Sequence, residues 1–364
     1  MNEPVNQLDD DKSAPTVLSE IPRHPDAREF YAPAETPVRI SRLNAVLFLL
    51  TLLTTTMAGA LMAGADFSLL RPIASFGALA SGLSFSIPLM LILLAHELGH
   101  YVIARRHGVD ASLPYFIPAP PISQIFFIGT FGAFIRMRSI PNSRRVMFDI
   151  GAAGPWAGML IALPAAIIGL QHSTIGPLDT SAGGLDLGNS LLFLGLSRLV
   201  LGVDPNSVNL TLHPIALAGW LGFFVTTLNL LPSGQLDGGH VTYALFGRRH
   251  RLIARYAVVA CVAMFAIPFV LGKDYWAGWL LWALILIILG LGHPTTADAE
   301  TPLDLRRQVA AWLTVVLFAV TFTPVPFSYT PPGAPQEKDK IYQVMQHVPA
   351  PPAAIGSLRH GREI

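Results

Sequence analysis

Long apolar runs follow one another along this chain, and they restrict what it can fold into more than any other feature. A helix needs roughly 20 apolar residues to cross the hydrocarbon core of a bilayer. Runs approaching or reaching that length occur at Leu43–Ala63, Gly82–Ile103, Ile150–Leu170, Pro214–Leu231, Tyr256–Leu271, Trp276–Gly292 and Val309–Phe322. Backbone at membrane depth has to satisfy its own hydrogen bonds, which leaves helices as the natural reading of such runs. Only 13% of residues are charged, against about 25% in an ordinary soluble domain. The expected fold is an all-α polytopic membrane protein with roughly seven transmembrane helices. A further run, Leu187–Leu201, is shorter and carries Arg198; it reads as a re-entrant or interfacial segment.

The flanks differ from this middle. Residues 1–40 are polar and Pro-rich, lack the pattern of a cleaved signal peptide, and read as a largely disordered cytoplasmic N-terminus. Residues 41–323 hold the membrane domain, with its chemistry concentrated at about 82–247. Residues 324–364 read as a Pro-rich disordered tail. Lys and Arg in the loops set the orientation. With the N-terminus in the cytoplasm, Arg39, Arg42, Arg105, Arg106, Arg136, Arg138, Arg144, Arg145, Arg248, Arg249, Arg251, Arg255, Arg306 and Arg307 all fall on the cytoplasmic side. The loops on the other side hold only Arg71, Arg198 and Lys273, and Lys338 and Lys340 of the tail lie too far from a span end to weigh much. The expected location is a bacterial inner membrane. A net charge of +1 gives no field that would recruit nucleic acid. The single cysteine, Cys261, excludes an intrachain disulfide and reads as a packing residue.

One loop departs from the helical pattern. Leu113–Arg138 opens with Pro114, Pro118, Pro120 and Pro121 and continues IFFIGTFGAFIRMR. Its β-branched and aromatic content, with Gly129 and Gly132, reads as an extended strand or hairpin associated with the membrane. A plain surface loop is the alternative.

The chemistry begins at AHELGH, Ala95 to His100. Histidines four apart share one helix face, so His96 and His100 can bind a single metal ion. Glu97 stands where a general base for water would stand. Imidazole and carboxylate ligands suit zinc. Ionisable side chains inside an apolar span are costly and mark functional sites. From the helix rise, nine residues between His96 and Arg105 place the site about 13 Å below the cytoplasmic surface. A third ligand is needed. NLLPSGQLDGGH, Asn229 to His240, breaks a helix with Pro232, Gly234, Gly238 and Gly239, and Asp237 at that break is the candidate carboxylate. Irregular backbone is tolerated at this depth only where protein or a cavity covers it. GAAGPWAG at Gly151–Gly158 has the small-residue spacing of close helix packing. His240 reads as a surface group or a neighbour of the ligands, and His213 and His293 as turn or cap residues.

HELGH in one span and N-x-x-P-x-x-x-x-D-G in a later one resemble the site-2 protease family of intramembrane zinc metalloproteases. GTFGAFIRM, the PNSRR stretch and LNLLPSGQLDGGH look closest to its ethylene-dependent gravitropism-deficient branch and bacterial relatives, without a PDZ domain. The resemblance implies one Zn2+ per chain held by His96, His100 and Asp237. It implies Glu97 as the group that activates water and returns the proton to the leaving amine. It implies Asn229 as a polar group near the substrate or developing oxyanion, with helix bridging as its alternative. Single-span membrane proteins, cleaved within the bilayer, are the implied substrates and partners. Two other readings remain at this stage. A membrane di-iron oxidase or desaturase would need more clustered histidines than one pair and would leave Glu97 idle. A metal-binding or metal-transport protein on the same fold would not need a base.

Overall fold

The computed structural model describes residues 41–64, 76–120, 128–176, 184–292, 296, 298 and 301–330. The expectations for residues 1–40, for His293 and for the tail beyond 330 lie outside the described residues.

Every apolar run of the sequence is helical. In chain order the elements are α1 (Arg42–Met62), α2 (Phe76–Ser81), α3 (Leu83–Arg106), β1 (Tyr115–Pro118), β2 (Thr130–Phe134), α4 (Arg144–Gln171), β3 (Thr174–Gly176), β4 (Gly184–Leu187), α5 (Leu191–Leu201), β5 (Asn209–Thr211), α6 (Pro214–Asn229), α7 (Asp237–Phe246), α8 (His250–Val270), α9 (Gly278–Leu289), α10 (Leu305–Thr321) and β6 (Phe327–Thr330). Among the described residues four helical stretches are long and apolar enough to cross a membrane: α1, α3, α4 and the run Asp237–Val270 that takes in α7 and α8. With 11 residues, α5 is about 16 Å long, well short of a 30 Å core.

The helix ends are fixed by local chemistry. Ser41, Ser143, Ser190 and Asp304 accept from backbone amides at the starts of α1, α4, α5 and α10, satisfying donors that a helix start leaves bare. The Arg307 amide and then its guanidinium hold the Asp304 carboxyl below its ordinary pKa. At α6 the cap is His213, whose Nδ1 accepts from the Ile215 amide. Burial, then neighbouring His172, push His213 below its ordinary pKa, which keeps that nitrogen free to accept.

The core is a sandwich of α3, α4 and α6, with α4 in the middle and its largest interface toward α3. Small residues bring the axes together. A Cβ placed on Gly169 would lie 2.0 Å from the Ala216 amide nitrogen, and one on Gly219 would lie 2.6 Å from the Ala166 nitrogen. Around this sandwich, α1 lies along α3, and α10 lies against α4, α6 and α7. The hairpin of α8 and α9 presents a mostly exposed apolar surface, including Val259, Val270, Leu281 and Ile288.

The strands form three small antiparallel pairs, β1–β2, β3–β5 and β4–β6. In the first, Tyr115 opposes Phe134 and Phe116 opposes Ala133, with an irregularity before Pro118–Thr130. The third pair corrects a boundary. The tail was expected to begin its disorder at Pro324, yet Phe327–Thr330 pairs with Gly184–Leu187. The reason is aromatic packing: the Phe327 ring meets Trp220 at 5.3 Å and Phe224 at 5.5 Å.

Close approach at Gly169 predicts that G169A lowers stability by about 1–3 kcal/mol, the usual result of overpacking. The contrasting position is Gly195 in α5, where a Cβ would meet nothing within 4 Å. G195A should raise stability by about 0.5–1 kcal/mol. Thermal unfolding in detergent measures both, and equal effects of the two changes would refute the packing argument.

Candidate metal centre

The site is built where α3, α4 and the start of α7 meet. Histidines at i and i+4 put both imidazoles of α3 on one face, and both residues are buried. After Asn229 the chain leaves the helix, turns through Pro232 and through Gly234 at φ +57°, and re-enters one at Asp237. The break is what points the Asp237 carboxylate back toward α3.

The three residues converge. His96 Nε2 lies 3.2 Å from Asp237 Oδ2 and His100 Nε2 lies 3.3 Å from Oδ1. The two histidine nitrogens are 3.1 Å apart. Among the described residues this is the one grouping of three such side chains able to hold a metal ion. Zinc bonds of about 2.0–2.1 Å put the corners of a tetrahedron about 3.3 Å apart, so the separation of the two nitrogens and the separation of each from its nearer Asp237 oxygen are of the size that a zinc ion requires. The tautomer fits as well. His100 Nδ1 lies 2.7 Å from the carbonyl oxygen of Ile150; a carbonyl only accepts, so Nδ1 carries the proton and Nε2 keeps its lone pair for the metal.

The remaining expected residues are present at the same place. Asn229 Nδ2 lies 3.2 Å from His96 Nε2. Glu97 is 7% exposed, and the backbone amide of Ile135, the residue that follows β2, lies beside its carboxylate. The loop is tied to the first helix too: Thr54 Oγ1 donates to the Gly129 carbonyl at 2.7 Å.

The glycines of α4 do more here than bring helices together. A Cβ on Gly154 would sit 2.0 Å from His100 Nε2, and one on Gly158 would sit 3.3 Å from the His96 Cβ. The pair Gly154 and Gly158 therefore faces the pair His100 and His96 in antiparallel register. Reading GAAGPWAG as packing missed this, although the shared spacing of four was a visible signal. Of the two readings of His240, burial excludes the surface group: it is 7% exposed, and its Cβ lies 2.6 Å from where a Gly151 Cβ would be. The Ile150 carbonyl and the Ile135 amide are backbone groups, which no side-chain motif could signal.

Residues 84–271 match the model of peptidase family M50. This chain belongs to that family, the site-2 proteases. All of the converging side chains lie within the M50 segment. Among curated proteins the chain is similar to the probable zinc metalloprotease EGY2, chloroplastic, of Arabidopsis thaliana, 26% identical over 69% of this chain and 43% of that protein. It is similar to the probable zinc metalloprotease EGY1, chloroplastic, of Oryza sativa subsp. japonica, 31% identical over 50% of this chain and 30% of that protein. The Arabidopsis EGY1 protein is 30% identical over 64% of this chain and 41% of its own length. The chain thus matches less than half the length of each of these relatives, all of the ethylene-dependent gravitropism-deficient branch. No solved structure matches. With four helical stretches able to cross a bilayer, the M50 chain is an integral membrane protein.

The α4 cradle predicts a ranking. G154A should weaken zinc binding by about 10- to 100-fold, as loss of a ligand's support does, whereas G158A should change it little. Competition against a chromophoric chelator measures both affinities. Unchanged affinity in G154A would show that the cradle is not needed.

Proposed function

We propose that this chain is a zinc-dependent intramembrane endopeptidase that hydrolyses peptide bonds of membrane-embedded, single-span proteins. The observation that carries the proposal is the convergence of His96, His100 and Asp237 on one point inside the helical core, with Glu97 and Asn229 beside it. His96, His100 and Asp237 would hold one Zn2+ per chain. When bound, zinc supplies a Lewis acid that makes water acidic near neutral pH and polarises a carbonyl.

The chain's own residues do the rest. Glu97 takes the proton of the attacking water and delivers it to the leaving amine, as general base and then general acid. The Ile135 amide lies beside its carboxylate. Asn229 offers an N–H donor near the site, where a preorganised donor stabilises developing negative charge. A helical substrate hides its amides in its own hydrogen bonds and has to unwind before water can attack. Strand addition to the β1–β2 pair would take up an unwound segment; Phe131 and Phe134 of that pair are exposed, at 56% and 48%.

On this reading seven helices cross the membrane, α1, α3, α4, α6, α8, α9 and α10, while β1–β2 lies in the membrane and α5 is re-entrant or interfacial. The N-terminus is cytoplasmic, in a bacterial cell membrane. The loop arginines support that orientation; the relatives matched are chloroplastic by name. A metal transporter is the competing class, and Glu97 separates the two, since a transport site needs no base.

Glu97→Gln should keep its zinc and lose cleavage of a single-span substrate by about 10²- to 10⁴-fold, the usual worth of general acid–base catalysis. Metal analysis beside a cleavage assay in proteoliposomes reads both. Unchanged cleavage sinks the mechanism, and zinc flux into vesicles would favour the transporter. Prolines introduced together at Ile128 and Phe131 should abolish cleavage at normal zinc content; a double variant that still cleaves would rule out strand addition.

A further inference from the structure

A second concavity lies outside the metal centre. It is a groove of about 210 Å³ between α7 and α10, floored by Leu230 and Pro232 and walled by Val241, Val315 and Phe318. The two hydroxyls in its wall are already used. Thr242 Oγ1 donates to the Gly238 carbonyl at 2.8 Å, and Thr314 Oγ1 accepts from Trp156 Nε1 at 3.0 Å. The wall therefore makes no polar demand on an occupant. At one end the groove is framed by Phe246 and Trp312, whose rings meet edge-on at 6.1 Å. Both are partly exposed, Trp312 at 54%.

That end is basic. Arg248 and Arg249 follow Phe246 directly after Gly247. Both arginines are exposed. An apolar slot with an aromatic rim and a cationic mouth matches one chemistry, an acyl chain joined to an anionic headgroup. Size excludes a substrate helix from the slot itself, because a helix with side chains is about 10–12 Å across. A cavity of about 150 Å³ holds a benzene ring, so this one takes a short length of acyl chain.

We infer that the groove binds an anionic phospholipid, its acyl chain along α7 and α10 and its headgroup on Arg248 and Arg249. The bound chain would lie against Leu230 and Gly238, next to Asn229 and Asp237, and so brace the broken segment that carries both site residues. The lipid acts as a fitted part of the protein at that segment.

The test uses the full chain in nanodiscs and the fluorescence of Trp312, taken as the difference between the wild type and W312F. Phosphatidylglycerol with brominated acyl chains should quench that signal about twofold more than equally brominated phosphatidylcholine. The preference should vanish in R248Q/R249Q, and quenching by either lipid should fall in Val315→Phe, which fills the groove. Zinc content reports whether each variant folds. Should V315F lose its zinc, the arginine variant, altered only at exposed positions, decides alone. Equal quenching by the two lipids in the wild type overturns the inference. So does a preference that survives the arginine changes, or quenching that V315F leaves intact in a zinc-loaded protein. Displacement of the brominated lipid by a single-span helical peptide would assign the groove to substrate instead.

Discussion

Three ionisable side chains and a buried glutamate inside an apolar bundle are the constraint on which the rest of this structure depends. Such groups are expensive at membrane depth unless each has a partner. Here the partners are one another and a few backbone groups. His96 and His100 share the Asp237 carboxylate, the Ile150 carbonyl takes the outer proton of His100, and the Ile135 amide reaches Glu97. Every one of these contacts demands backbone at close range. The interruption between α6 and α7 and the side-chain-free face of α4 both follow from that demand.

Helix α4 is the hub because its two halves solve different problems with the same residue type. In its first half, Gly151, Gly154 and Gly158 leave room for His240, His100 and His96. In its second half, Ala162, Ala166 and Gly169 let α6 approach, with Gly222, Gly219 and Ala216 as their counterparts. Van der Waals packing of small residues is the main attraction available between helices in lipid. One helix thus fixes the distance from α3 to α6, and with it the distance from the two histidines to Asn229. At the end of α4 near Arg144, Asp149 receives both Arg307 Nε and Nη2, at 2.8 and 2.7 Å, and lies 3.0 Å from His107 Nε2. That cluster joins the end of the histidine helix to the start of α10. The α8–α9 hairpin contributes no residue to the centre, which agrees with its exposed, mostly apolar surface.

What was legible in the sequence was what repeats or what costs. Apolar runs announce helices because nothing else explains them. His96, Glu97 and His100 announce a site because ionisable groups do not belong there. Asp237 was readable from Pro232 and the glycines around it, since a broken helix in an apolar setting needs a purpose. Less was visible wherever the decisive group is backbone or the element is very short. The pairs β3–β5 and β4–β6 involve strands of three or four residues, too short for a periodic pattern. β6 fell inside a proline-rich tail whose composition hid the contribution of Phe327. For His240 the arginines that follow it left a surface position open beside a place near the ligands, and the first turn of α7 settles this by turning it inward onto Gly151.

The strand and the base are linked in a way that neither motif reveals alone. β2 ends at Phe134, and the next amide, that of Ile135, lies beside the Glu97 carboxylate. The other end of the same segment is pinned to α1 through Thr54 and Gly129, where Gly129 has φ +81° and no room for a side chain. A short extended stretch is therefore fixed at one end to the first helix and lies at the other beside the carboxylate. A shift of that stretch along its own axis would take the amide away from Glu97. On the proposed function, a segment pairing with this stretch would pair with backbone that also lies beside Glu97, so recognition and proton transfer would share one piece of chain.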